Sequence, residues 1–356
     1  MSYSFQKLKP FIFLLCCWAV LFALNIIFSR DIFQYHCWFD DALALAGPDR
    51  FFGLKGYFHD PAYYILQAVG TMLFPFEIFF WLLIFAALLV KLLALLRVTP
   101  NPSLLDVLPY LMVLSFLHEG TQIRVALALS IALWALIKFA QGKRHLAIFI
   151  LGVACTFHIS VACFFHVFLM LFLYERFGKI VLIIIAVVAT IIAYTSIVRD
   201  LVMQFGELTN ARYMAYSVGS IYRKQNSSGL FQYFSLFVGG LTILVWKLYQ
   251  PESKAWAQLK KIALASGFLA IIILQIFRFN VVIASRLADL LLLPIVLVFG
   301  SALVQLQKSQ RKNLLRLLIF ALISYGAARG FLTYAPSNAP RVCHPELLPN
   351  YHPEND

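Results

Sequence analysis

The constraint that governs this sequence is the length of its apolar runs. They follow one another with short polar breaks, near 10–29, 61–75, 77–97, 103–117, 122–138, 145–158, 160–174, 179–198, 229–248, 262–278, 281–305 and 316–334. Most run for roughly 15 to 25 residues, and about 20 helical residues cross the hydrocarbon of a bilayer. No segment alternates as a lipid-facing strand would, so helices must satisfy the backbone polar groups inside the membrane. Composition agrees: 62% of residues are hydrophobic and 13% charged, against about 25% charged in a soluble domain. A soluble enzyme, a disordered chain and a small disulfide scaffold cannot accommodate that much apolar surface. The expected fold is all-α, a polytopic integral membrane protein.

The net charge of +13 acquires meaning from where the cations sit. Arg97, then Lys138, Lys143 and Arg144, then Arg176 and Lys179, then Lys247, Lys254, Lys260 and Lys261, then Lys308, Arg311, Lys312 and Arg316 fall at every second connection. Short basic loops mark the cytoplasmic face, and Lys7 and Lys9 join them. Residues 10–29 are long enough to span and are followed by no small-residue cleavage site, so they read as an uncleaved first helix. With residues 1–9 and Arg97 on one face, the chain between them crosses an even number of times. The short run 61–75, ending in Phe74-Pro75-Phe76, is therefore expected to be re-entrant or tilted. This predicts about eleven crossings plus that one segment, with the N-terminus cytoplasmic and the C-terminus outside. A single membrane domain over 1–334 carries outer loops at 30–60 and 199–228, and 335–356 is a polar tail.

The opposite face is rich in arginine: Arg30, Arg50, Arg124, Arg199, Arg212, Arg223, Arg278, Arg286, Arg329 and Arg341, with Lys55 and Lys224. Guanidinium is a planar fork that grips phosphate or carboxylate with two parallel bonds. Arginine against the topology rule suggests an anionic substrate, and a pyrophosphate fits. A charge within a span costs about 2.5–3.5 kcal/mol on insertion scales, so such residues are functional candidates. Arg124, Arg212, Arg278 and Arg286 are the candidate pyrophosphate ligands. Structural alternatives stand beside them: Arg124 paired with Glu119, Arg286 with Asp289, and Arg278 snorkelling to the interface.

The first outer loop is acidic, with Asp31, Asp40, Asp41, Asp49 and Asp60 against Arg30, Arg50 and Lys55, and it carries Tyr35, His36, Trp38, Tyr57, Phe58 and His59, followed by Tyr63 and Tyr64. Rings stack on sugar faces and carboxylates accept from hydroxyls, so Tyr35, Asp41 and, further on, Tyr213 are candidate sugar-binding residues. An aromatic belt at the interface is the plainer reading of the tyrosines. His158 ends one span, and His118-Glu119 forms the neighbouring outer turn a few residues before Arg124. A histidine or carboxylate at that depth can act as a general base, which makes His158, Glu119 and Asp40 the catalytic candidates. A histidine hydrogen-bonded between helices is the alternative for His158. The cysteines add little: Cys16, Cys17, Cys155 and Cys163 lie in apolar stretches, and Cys37 and Cys343 lie in polar segments and could pair. No Cys/His cluster has zinc spacing.

The run Gln122-Ile123-Arg124-Val125-Ala126-Leu127-Ala128, the basic turn Lys138 to Arg144, and Ala154-Cys155-Thr156-Phe157-His158-Ile159-Ser160 together resemble the EpsG/Wzy-like family of bacterial polysaccharide polymerases. Ser29-Arg30-Asp31 with Tyr35 and Asp40, then Asn210-Ala211-Arg212-Tyr213 and Ser285-Arg286, extend the resemblance over roughly 1–330. It implies an inner-membrane glycosyltransferase, GT-C-like as one candidate arrangement, acting at the periplasmic face. Its donor and acceptor would be oligosaccharides on undecaprenyl pyrophosphate, and its partners membrane lipid, a flippase and a chain-length regulator. No metal, other cofactor or nucleic acid is implied. A flippase of lipid-linked oligosaccharide, a membrane acyltransferase using His118-Glu119, and a structural subunit of an export complex are the rival readings.

Overall fold

The computed structural model describes residues 30–45, 60–99, 102–195, 228–277, 281–309 and 311–334, with scattered positions within 12–23 and 197–204. In chain order the helices are α1 (Arg30–Ala44), α2 (Pro61–Leu73), α3 (Phe76–Val98), α4 (Leu104–Tyr110), α5 (Phe116–Thr121), α6 (Ile123–Ala140), α7 (Arg144–Phe157), α8 (Cys163–Phe177), α9 (Lys179–Ala193), α10 (Ser228–Leu248), α11 (Lys254–Ile276), α12 (Val281–Lys308) and α13 (Lys312–Tyr334). A π-helical turn (Leu111–Ser115) joins α4 to α5, and a 3-10 turn (Ile159–Ala162) leads into α8. The described residues contain no strand.

Among the described residues, five helical segments are long and apolar enough to cross a membrane: Phe76–Val98, Ile123–Ala140, Ile159–Phe177, Lys254–Ile276 and Ile283–Lys308. Arg144–Phe157, Ile180–Ala193 and Phe234–Leu248 are apolar but shorter. On α9, Ile180, Ile183, Ile184, Val187 and Ile191 are all exposed, as lipid-facing side chains are. The expected outer loop at 30–60 contains a helix. Tyr35, Phe39 and Ala42 recur on one face of α1 and are buried, while Asp40 is exposed.

The chain forms two compact units. The first draws on Met1–Ala162, Tyr249–Leu259 and Val296–Cys343, the second on Cys163–Leu248, Lys260–Ile295 and His344–Asp356. In the second, Thr242 of α10 meets α11 at Gly267, where a β-carbon would overlap the threonine side chain. The candidate site lies in the first unit.

That unit is organised around α3 and α6, which pack together, and around α6 and α7, which form a hairpin. The hairpin turn contains Gly142 at φ 81°, a left-handed conformation that glycine adopts without a β-carbon penalty. One buried core joins Tyr35 and Phe39 of α1, Tyr63 and Tyr64 of α2, Phe76, Phe80 and Ile84 of α3, and Ile123 and Ala126 of α6. At Gly70 a β-carbon would overlap the Phe79 ring, so α2 packs closely against α3. Likewise α12 approaches the backbone of Asp106 at Gly300, and α13 approaches Met112 at Gly326.

Helix α2 explains the odd segment at 61–75. It opens with Pro61, whose missing N–H and fixed φ suit the first helical turn. Phe74 is extended, as the residue before proline tends to be, and Pro75 leads straight into α3. At 13 residues the helix is about 20 Å long, short of the roughly 30 Å hydrocarbon core.

Candidate functional site

The two ends of the α6–α7 hairpin differ in chemistry. At the turn end, the Arg97 guanidinium lies 6.0 Å and the Lys138 ammonium 5.8 Å from the Trp134 ring centre. Trp256 Nε1 donates to Val98 O there at 3.1 Å. Arg124 and His158 sit at the other end. From Arg124 to Lys138 along α6 is about 21 Å of rise, so the basic end and the Arg124 end are distinct.

The chain breaks where the polar residues gather. Gln122 (φ −113°, ψ 62°) separates α5 from α6. His158 is extended (φ −161°, ψ 118°) between α7 and the 3-10 turn, its N–H donating to Ala154 O at 3.2 Å. Asp60 precedes α2 (φ −136°, ψ 59°) and makes no side-chain cap bond to that helix. Its carboxylate is directed elsewhere.

Asp60 is the centre of the cluster. Arg124 Nη1 donates to its Oδ2 at 2.6 Å. Its Oδ1 accepts from the Ile159 N–H at 3.4 Å and lies 3.6 Å from His158 Nδ1. Asp60 is buried, whereas Arg124 and His158 are partly exposed. Arg124 occupies the first turn of α6, the wrong end of a helix dipole for a cation, and the carboxylate compensates it. The guanidinium also lies 4.6 Å from the Trp38 ring centre, 5.7 Å from that of Tyr63 and 5.9 Å from that of Tyr35. These are cation–π distances. Trp38 is tied to α2 by Gln67 Nε2, which donates to its carbonyl.

The cluster also contains buried polar atoms with no hydrogen-bond partner: Tyr64 Oη, Gln67 Oε1 and Arg124 Nε. His118, buried in α5, has both ring nitrogens in that condition. Such groups call for water or a ligand. Among the described residues, no three His, Cys, Asp or Glu side chains converge as metal ligands would.

Three of the expected site residues come together here: Arg124, His158 and Tyr35. Asp40 does not join them. It takes His36 Nδ1 at 2.9 Å on the exposed side of α1, about 140° around the helix from Tyr35. Asp41, on the same helix, is half-buried. Glu119 does not pair with Arg124, because the break at Gln122 puts the two on different helices. Its Oε1 lies 2.7 Å from Lys91 Nζ, and the Tyr110 hydroxyl sits 2.6 and 2.7 Å from its two oxygens. Arg286 is exposed on α12 in the second unit, near buried Asp289 in sequence. Arg212, Tyr213 and Arg278 lie outside the described residues.

Asp60 is absent from the candidate residues that the sequence suggests. Asp60 was counted with the charges of the loop, though an arginine in an apolar helix calls for a buried acid, and an Asp-Pro step opening an apolar run is a place to find one. Cys37, for which the sequence leaves a pairing with Cys343 open, is buried and disulfide-bonded. Bridging depends on three-dimensional approach, which cysteine spacing does not report. Cys343 lies outside the described residues.

A model of the EpsG family matches residues 8–338. No curated protein and no solved structure matches the chain.

Proposed function

The chain belongs to the EpsG family, and from that membership we propose that it is a polysaccharide polymerase of the inner membrane, working at the periplasmic face. A growing glycan on undecaprenyl pyrophosphate is the donor, and the next lipid-linked repeat unit is the acceptor. The observation that carries this reading is the Asp60–Arg124–His158 cluster at the end of the α6–α7 hairpin remote from its basic turn. Cys37, a disulfide-bonded residue of α1 beside Trp38, supports the outward placement, since such bonds persist in oxidising compartments.

In the reaction the acceptor hydroxyl oxygen attacks the anomeric carbon of the donor. The new glycosidic C–O bond forms as the bond to pyrophosphate breaks, and that electron pair leaves on the pyrophosphate. The hydroxyl proton passes to His158, the base. Arginines stabilise the developing charge on the leaving group. Arg124, the arginine of this cluster, is engaged by Asp60; for Arg212, Arg278 and Arg286 the pyrophosphate assignment rests on the sequence alone. Tyr35 and Asp41 of α1, with Tyr213, serve the sugar.

Deletion of the gene tests the proposal through the length of surface glycan on a gel. A polymerase leaves single repeat units on the lipid. Units trapped on the cytoplasmic side indicate a flippase, and unchanged chain length indicates an acyltransferase; either outcome overturns the reading.

A further inference from the structure

We propose that Asp60 is a positioning residue for His158: one carboxylate oxygen selects the imidazole tautomer whose Nε2 can accept a proton, and the other is held by Arg124. The inference rests on the polymerase reading and adds a residue to it.

His158 Nδ1 faces two neighbours at similar range, the Ser160 backbone N–H at 3.5 Å and Asp60 Oδ1 at 3.6 Å. They make opposite demands. If Nδ1 accepts from Ser160, the ring proton sits on Nε2, and Nε2 cannot act as a base. If Nδ1 carries the proton and turns it toward Asp60, Nε2 holds the lone pair that can take a proton from the acceptor hydroxyl. An anionic oxygen favours the second arrangement, because a hydrogen bond from Nδ1–H to a charged carboxylate is stronger than one from a neutral amide N–H to a neutral ring nitrogen. At 3.6 Å the contact is longer than a hydrogen bond. Catalytic contacts commonly tighten only with substrate in place.

The carboxylate is held for that task. Arg124 Nη1 grips Oδ2 at 2.6 Å, and Trp38, Tyr35 and Tyr63 surround the guanidinium. The Ile159 N–H approaches Oδ1 from the residue after the histidine. Asp60 thus bridges α2, α6 and the α7–α8 junction, and it forgoes capping its own helix to do so. An asparagine here would turn its carbonyl to Arg124 and its amide to His158. That amide donates to Nδ1 and fixes the wrong tautomer.

The test uses purified full-length protein in detergent or liposomes. Its substrate is the single-repeat lipid-linked oligosaccharide extracted from the deletion strain. Asp60→Asn is expected to lower kcat by about 10²–10⁴-fold with KM for the lipid-linked unit little changed. Asp60→Asn combined with His158→Ala should be no slower than His158→Ala alone, because residues acting as a unit are not additive. Should Asp60→Asn not accumulate, Asp60→Asn with Arg124→Gln removes both charges together, and the same loss of kcat is expected. Wild-type rate in either folded variant, or a double variant slower by the product of the single effects, overturns the role of Asp60 and leaves the polymerase standing. A wild-type protein that does not elongate the substrate overturns both.

Discussion

Lys91 and Glu119 form a closed ion pair in the interior of the first unit. Lys91 Nζ lies 2.7 Å from Glu119 Oε1, and it also donates to Ala126 O and Ser130 Oγ, each at 2.7 Å. All three ammonium protons have acceptors. Ser130 is itself bonded to the backbone of α3 and α6 through Ala87 O and Ala126 O. A carboxylate so enclosed fastens α3, α5 and α6 together.

Removing one member of that pair leaves the other charged and buried. Lys91→Met is expected to destabilise the protein by about 3–5 kcal/mol, read as a lower thermal midpoint in detergent. Lys91→Met with Glu119→Gln should recover much of the loss and still elongate glycan. A stable double variant without activity would keep Glu119 in the catalytic set.

His158→Ala is expected to abolish chain extension, about 10²–10⁴-fold in rate, at normal protein level in the membrane. Surface glycan of ordinary length in that variant would remove His158 from the reaction.

Arg124→Lys keeps the charge and loses the fork and the ring contacts. Elongation should fall roughly tenfold or more, about 1.4 kcal/mol of barrier per factor of ten. Full activity would mean that charge alone holds Asp60.

Cys37→Ala removes a native disulfide and should cost about 2–5 kcal/mol of stability, again measured as a midpoint shift. In unreduced protein unfolded in detergent, an alkylating reagent should leave Cys37 unmodified until reductant is added. Labelling before reduction would show that the thiol is free in the cell.

Gly70→Ala places a methyl group in the Phe79 ring. Overpacking of this kind costs about 1–3 kcal/mol, and the α2–α3 joint should loosen detectably to protease.

The residues that announced themselves in the sequence were those that break a strong local rule. Arg124 and His158 interrupt apolar helices, and the hairpin period alone put them at one depth. The short run 61–75 betrayed itself by its prolines. Asp60 was harder to read, because an acid among other loop acids breaks no rule; only Arg124, distant in the chain, gives it a partner. Helix α1 was legible in the spacing of Tyr35, Phe39 and Ala42, yet the charges between them suggested a loop. The break near Gln122 was legible in the polar turn His118-Glu119-Gly120, but the pairing of Glu119 with Lys91, 28 residues away, was not, because it depends on how α3 packs against α5.

Helices α2 and α7 lie against each other, and both are short: 13 and 14 residues, or about 20 Å. Counted from the basic turn, α7 ends about 10 Å before a 30 Å hydrocarbon layer would. Lipid on that flank meets a low wall, and a bilayer thins beside a short hydrophobic surface. For the proposed polymerase, the consequence is a side entrance: a polyprenyl carrier would slide in from the leaflet and deliver its headgroup at the depth of His158 without lifting its tail out.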